Sequence, residues 1–217
     1  MYLGPEAGVA GFPLSRHAQA LPIALESVEI HRDLAEPEPD KYIGLLAGAS
    51  SNLSAPYEKL GRPAEALAPA EESIQIYLRL VQANPDRHFD DLGSTLVNLS
   101  DTLAALGRPA EALAPAQEAV AIRRGLVEAN ADRYQDNLAG SLTSLANRFT
   151  ALGRLSDALP PGQEAMEIYR RLFDEGHENH RDELAGALRS LADTLTDLGQ
   201  SDAAAKARAA ARQVARE

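Results

Sequence analysis

The sequence predicts an all-α protein, a right-handed α-solenoid of antiparallel helix pairs. Three observations carry that expectation. A period of 46 residues runs through most of the chain, marked by Gly61, Gly107, Gly153 and Gly199, each preceded by leucine. Within each copy, leucines recur at intervals of four and three, the spacing of one helix face and not of a strand. Helix formers dominate the composition and β-branched residues are few. A fixed period of this size means supersecondary units stacked side by side, each touching its neighbours, rather than one closed domain.

The chain opens on MYLGPEAGVAGFP, and residues 1–13 read as an irregular segment. Shifting the period back would place a first helix there, but its leucine positions hold Ala7 and Gly11. Residues 14–41 are therefore a half unit, made of a second helix alone. It runs from Leu14 to about Leu34, where Ala20, Leu21 and Ala24 match Ala66, Leu67 and Ala70. Its apolar side, with Leu21, Ile23, Leu25 and Ile30, lacks the helix that should cover it. Either Tyr2, Leu3, Val9 and Phe12 fold back as a lid, or the end pairs with a second copy through Leu21, Ile23 and Ile30 as a two-fold homodimer. Five Gly and Pro residues in the first thirteen make a poor lid and favour the dimer.

Four full units come next, at about 42–84, 88–130, 134–176 and 180–217. In the first, helix A carries Leu46, Leu53, Tyr57 and Leu60, but Ser50 replaces a leucine and Pro56 lies inside. A kink or an early end is expected there. In the next, Leu92, Leu96, Leu99, Leu103 and Leu106 make the stripe. Leu138, Leu142, Leu145, Phe149 and Leu152 repeat it, as do Leu184, Leu188, Leu191, Leu195 and Leu198. Each stripe ends at a glycine suited to the left-handed conformation after a helix.

Helix B begins soon after that glycine, at Pro63 and Pro109 in two copies, where a missing N–H costs nothing. The short turn makes A and B antiparallel. At 1.5 Å per residue, A is about 25 Å long and B about 33 Å. Prolines recur inside B at Pro69, Pro115 and Pro161, so each B helix is expected to bend at one level or to have a separate first turn. In the loops, Tyr42, His88, Tyr134 and His180 plug the gap between units. Asp90, Asp136 and Asp182 suit the N-cap or first turn of helix A. The final helix places Arg208, Arg212 and Arg216 on one face, a polar cap for the solenoid.

The spacing Leu99, Ser100, Leu103, Gly107, Ala112, Ala116, Ala119 resembles the tetratricopeptide repeat. So do Leu145, Ala146, Phe149, Gly153, Ala158 and Ala165, and again Leu191, Ala192, Leu195 and Gly199. The likeness covers about residues 42–217. The unit is longer than the usual one, leucine (Leu96, Leu142) replaces the early aromatic, and the proline closing helix B is missing. These departures resemble the long-helix variety of kinesin light chains and bacterial signalling proteins. The resemblance implies a non-catalytic interaction module whose helix A face lines a concave groove for a peptide. On that face stand Val97, Asp101, Thr143, Asn147, Arg189 and Asp193, small or polar residues that leave room and offer donors and acceptors. A solvated face with no ligand is the alternative.

The remaining chemistry is thin. The formal net charge of −11 disfavours nucleic acid, which needs clustered Lys and Arg. A protein or peptide partner fits better. Without cysteine there is no disulfide framework and no thiolate metal site. No apolar run approaches the roughly 20 residues of a membrane span, and the start lacks the pattern of a signal peptide, so a cytoplasmic protein without membrane contact is expected. His177, Glu178 and His180 form an H-E-x-H cluster, which is not the H-E-x-x-H of zinc enzymes and has no third ligand in view. No phosphate loop or nucleophile elbow appears. No enzyme and no cofactor are expected. The alternative is an enzyme or a metal or small-molecule binder using the groove or the loop histidines.

Overall fold

The computed structural model describes residues 12–216, and these are helical with no strand. The helices in order are α1 (Phe12–Ala35), α2 (Pro39–Ser51), α3 (Ser54–Lys59), α4 (Pro63–Ala83), α5 (Pro85–Ala105), α6 (Pro109–Ala129), α7 (Ala131–Ala151), α8 (Leu155–Asp174), α9 (Arg181–Asp197) and α10 (Ser201–Val214). One 3₁₀ turn, Glu178–His180, precedes α9. The expected lid residues Tyr2, Leu3 and Val9 lie outside the described residues. Phe12 and Pro13, expected to be irregular, already belong to α1.

Helices α5, α7 and α9 are the A helices of three units; α1, α4, α6, α8 and α10 are B helices. Helices α4, α6, α8 and α10 each pack on their own A helix, and all but α10 also pack on the next A helix along the chain; α1 packs on the next A helix, α2 and α3. Successive A helices touch one another directly (α2 with α5, α5 with α7, α7 with α9), so they form the tighter inner layer. On the outer layer, long side chains bridge successive B helices: Arg32 to Glu72 at 2.7 Å and Arg124 to Glu164 at 2.6 Å. Leu78 stands at the arginine position of the intervening unit and is exposed.

The turn from A to B is the same each time. Gly61, Gly107, Gly153 and Gly199 have φ of 68°, 71°, 70° and 75°, a region open to glycine at no steric cost. The N–H of Arg108 bonds Leu103 O at 2.9 Å and that of Gly107 bonds Ala104 O at 2.9 Å, the paired bonds that close a helix on a left-handed residue. Pro63 and Pro109 are the first residues of their helices. The interior prolines do not divide the B helices: α4, α6 and α8 are continuous through Pro69, Pro115 and Pro161.

The leucine stripe is the core. Leu92, Leu96, Leu138, Leu142, Leu145, Phe149, Leu184 and Leu188 are buried, with Leu142 fully so. Ala66, Ala70, Ala112, Ala116, Ala119, Ala158 and Ala165 are buried to 1% exposure or less, and they let the helices approach. The aromatics and histidines expected in the loops lie instead at the starts of the A helices, in α2, α5 and α7 and in the 3₁₀ turn before α9. Two of them wedge against the preceding B helix: the His88 ring lies 6.2 Å from Tyr77, and His180 lies 6.1 Å from Tyr169.

Two local expectations change. The A helix of the first full unit is in two pieces, but the break is at Asn52–Leu53, ahead of the proline. Pro56 then falls in the first turn of α3, where the N–H it lacks would have no partner within the helix. Asp90 and Asp136 do not start their helices, because α5 begins at Pro85 and α7 at Ala131, a turn earlier. Asn130 caps α7 by accepting from the Arg133 N–H at 3.2 Å. Only Asp182 lies in the first turn of its helix.

Candidate binding groove

The inner face is built from the A helices and from one position of each B helix that reaches between them. That position holds His31, Tyr77, Arg123 and Tyr169 in successive units. The Tyr77 hydroxyl donates to Gly44 O at 3.4 Å, and the same oxygen is 3.3 Å from where a Cβ on Gly48 would be. Tyr169 faces Gly140 in the matching way, at 3.5 Å. Burial raises both phenols, that of Tyr169 to about 12, with nearby carboxylates adding to the effect.

Arg123 is the exception in this column. It is 6% exposed and joins three helices. Its guanidinium donates to Ser94 Oγ on α5 at 2.8 Å, and to Ser141 Oγ at 2.6 Å and Asn137 O at 2.8 Å on α7. Asp90 lies 3.8 Å from its Nε. Desolvation lowers its pKa first, and Asp90 and Asp136 oppose that. Sequence reasoning missed this residue, because an arginine in IRRGLVEAN reads as solvated. The available signal was its alignment with Tyr77 and Tyr169.

The predicted groove residues fall into two groups. Four of them lie in contacts between or within units. Asp101 accepts from Ser144 Oγ at 3.0 Å and stands 3.5 Å from the Arg148 guanidinium. Asn147 accepts from Ser190 Oγ at 2.8 Å. Thr143 bonds back to Ala139 O at 2.9 Å, and Val97 is half-buried against the core. The other two, Arg189 and Asp193, are exposed and line one cavity of about 320 Å³ with Arg208 and Arg212. At the opposite end, a larger cavity of about 430 Å³ opens where Gly44 and Gly48 leave space above Tyr77. Its walls include Lys41, Leu45, His88 and Asp91. None of these four was among the predicted site residues; two small residues a turn apart on α2 were the only signal.

The Asp101 carboxyl is held above its ordinary value. Partial burial on the inner face is the first cause, with Arg148 and Ser144 pulling the other way. Glu58 is raised as well, by burial and then by the charge of Asp101. A carboxyl with a raised folded pKa weakens the fold when ionised, and that penalty fades as pH falls through the folded value. Asp101→Asn keeps an acceptor for Ser144 and removes the charge. Its Tm at about pH 7 is expected to equal or exceed that of the parent, with the difference gone by about pH 4. Melting curves followed by circular dichroism check this, and a lower Tm at neutral pH would mean that Arg148 needs the charge. Asp101→Lys sets a second cation beside Arg148 and is expected to lower the Tm.

Among the described residues no three His, Asp or Glu side chains converge as metal ligands. Among these residues, too, no helix is long and apolar enough to cross a membrane. In the proposed self-association set, Leu21 of α1 is buried in the core, while Ile23 and Ile30 are 68% and 49% exposed.

Stacked antiparallel helix pairs with a shared inner layer define the protein as a repeat α-solenoid. A tetratricopeptide repeat model matches residues 46–90, 92–130 and 138–182, more than half of the chain. The chain belongs to the tetratricopeptide repeat family. Among solved structures it is similar to a Podosopora anserina protein described as a kinesin light chain with nearly identical TPR-like repeats. That match has a TM-score of 0.64 at 15% identity and covers 93% of this chain and 92% of that one. BtubC from P. vanneervenii matches with a TM-score of 0.54 at 18% identity, over 93% and 91%. A MamA protein matches with 0.56 at 12% identity, over 93% and 87%. At these identities the likeness is one of fold. No curated protein sequence matches the chain.

Proposed function

We propose that this chain is a non-catalytic scaffold of a bacterial cytoplasm that holds an extended segment of a partner protein along its inner face. The carrying observation is the open cavity of about 430 Å³ on that face, whose wall mixes the apolar Leu45 with Lys41, His88 and Asp91. An extended peptide docks through such alternation of apolar and polar contacts. Family membership supports the same reading. A photo-cross-linking amino acid at Leu45 is expected to yield an adduct of defined mass in a lysate of the source organism. The same probe at Glu118, exposed on an outer helix, is expected to yield none. Adducts from Glu118 alone would move the partner to the outer layer.

A second reading has its own observation. Ile23 and Ile30 share one stripe of α1 with the exposed Leu34, an apolar surface that suits self-association. We propose a two-fold homodimer through this stripe. Light scattering is expected to give the mass of a dimer for the parent and of a monomer for Ile23→Glu/Ile30→Glu. A monomeric parent at about 100 μM would sink it.

A further inference from the structure

We propose that the C-terminal end of the groove is a docking site for an acidic peptide segment, gripped by Arg189, Arg208 and Arg212. The inference rests on the reading of the inner face as a peptide groove and names the chemistry of one end of it.

The site comes from two positions of helix B. The first holds Ala24, Ala70, Ala116 and Gly162 in successive units, and the second holds Val28, Ile74, Val120 and Met166. Small and apolar residues are needed there, because the next A helix packs on them. A Cβ on Gly162 would lie 3.9 Å from Leu191 of α9 and 3.7 Å from Ala146 of α7. In α10 both positions are arginine, Arg208 and Arg212. Another apolar A helix laid on this face would have to bury both guanidiniums, that of Arg212 with no partner among the described residues, which is strongly unfavourable. The face suits an anionic occupant instead.

Arg189 of α9 completes the set. The three arginines, Asp193, Ala211 and Ala215 enclose the cavity of about 320 Å³. Among the described residues Asp193 is the only carboxylate in that wall, and it is already bonded to Arg208 at 3.1 Å, as is Thr196 at 2.9 Å. Among the described residues, Arg189 and Arg212 have no hydrogen-bond or ion-pair partner. A surplus of positive charge therefore gathers at one end of a chain whose net charge is −11. Guanidinium groups match carboxylates as planar, two-pronged donors. The neighbouring alanines leave room for the peptide backbone between two such contacts.

The test is fluorescence anisotropy with a labelled eight-residue peptide of alternating Glu and Ala, against the same peptide with Gln for Glu. The full chain is expected to bind the Glu peptide and to prefer it to the Gln peptide. The preference is expected to shrink as salt rises from about 20 to about 300 mM. Arg189→Gln/Arg212→Gln is expected to weaken the Glu peptide about tenfold, as two partly exposed ion pairs would. Its melting curve should match the parent, since both side chains are exposed. Equal binding of the two peptides overturns the proposal, and so does a double variant that binds as the parent does. Competition by millimolar inorganic phosphate at equal strength would make this a simple anion site, and would also overturn it. The cross-linking result at Leu45 is independent of all these outcomes, so a failure here leaves the groove reading to stand or fall by itself.

Discussion

Leu142→Ala is expected to lower the stability of the chain by about 3–5 kcal/mol, as full truncation in a packed core does. Leu142 has no exposed surface and lies in the cluster that joins α7 to α8 and α9. A solenoid has no alternative core to absorb the loss, because each unit contacts only its neighbours. The damage should therefore be local in space and large in energy. Urea unfolding followed by circular dichroism gives the total. Hydrogen exchange should show α7 and α8 losing protection while α4 and α5 keep most of theirs. Leu99→Ala, at a half-buried position of the same stripe one unit earlier, is expected to cost about half as much or less. Equal costs would mean that the stripe does not face the core as described.

The fold was legible because its signals are redundant. Four leucine–glycine marks, three leucine stripes and matched alanines all give one period, and any two would have sufficed. The inner face was much less legible, for a geometric reason. Periodicity along one helix says which residues share a face. It does not say what the adjacent unit brings against that face. Asp101 and Asn147 look free on their own helices, yet Ser144 and Ser190 of the adjacent units donate to them. Arg189 and Asp193 belong to the last A helix and meet no such neighbour, so these two do line a cavity. The starts of α5 and α7 were misplaced because the carboxylates Asp90 and Asp136 competed as caps with Pro85 and Asn130. Position-by-position comparison of units was the missing step. It separates Leu21, which is buried in the core with Val28, from Ile23 and Ile30, which are exposed.

The same comparison yields the second large expected effect, at Arg123. Its column pairs with another column on the A helix: Tyr77 with Gly48, Tyr169 with Gly140, and Arg123 with Ser94. A phenol needs the room that glycine leaves; the arginine instead needs an acceptor, which the serine supplies. Arg123→Ala removes one guanidinium and leaves Ser94 Oγ, Ser141 Oγ and Asn137 O without their donor in a space that water fills poorly. The expected loss is about 2–4 kcal/mol. Arg123→Tyr alone should also destabilise, because the hydroxyl and Cβ of Ser94 occupy the place that glycine leaves open in the other units. Ser94→Gly alone gives up a hydrogen bond and adds a glycine to a helix, at about 1–2 kcal/mol. Together the two changes recreate the pairing of the other units. Ser141 then has a precedent in Thr95, whose hydroxyl bonds back to Asp91 O at 2.9 Å; Ser141 can turn to Asn137 O in the same way. The double variant should accordingly be more stable than the sum of the single losses, by a coupling of about 1–2 kcal/mol. Urea unfolding of the four proteins in the cycle measures it. Strict additivity would show that the residue between the A helices and the residue opposite it are independent, and that the pattern of Tyr with Gly and Arg with Ser has no energetic basis.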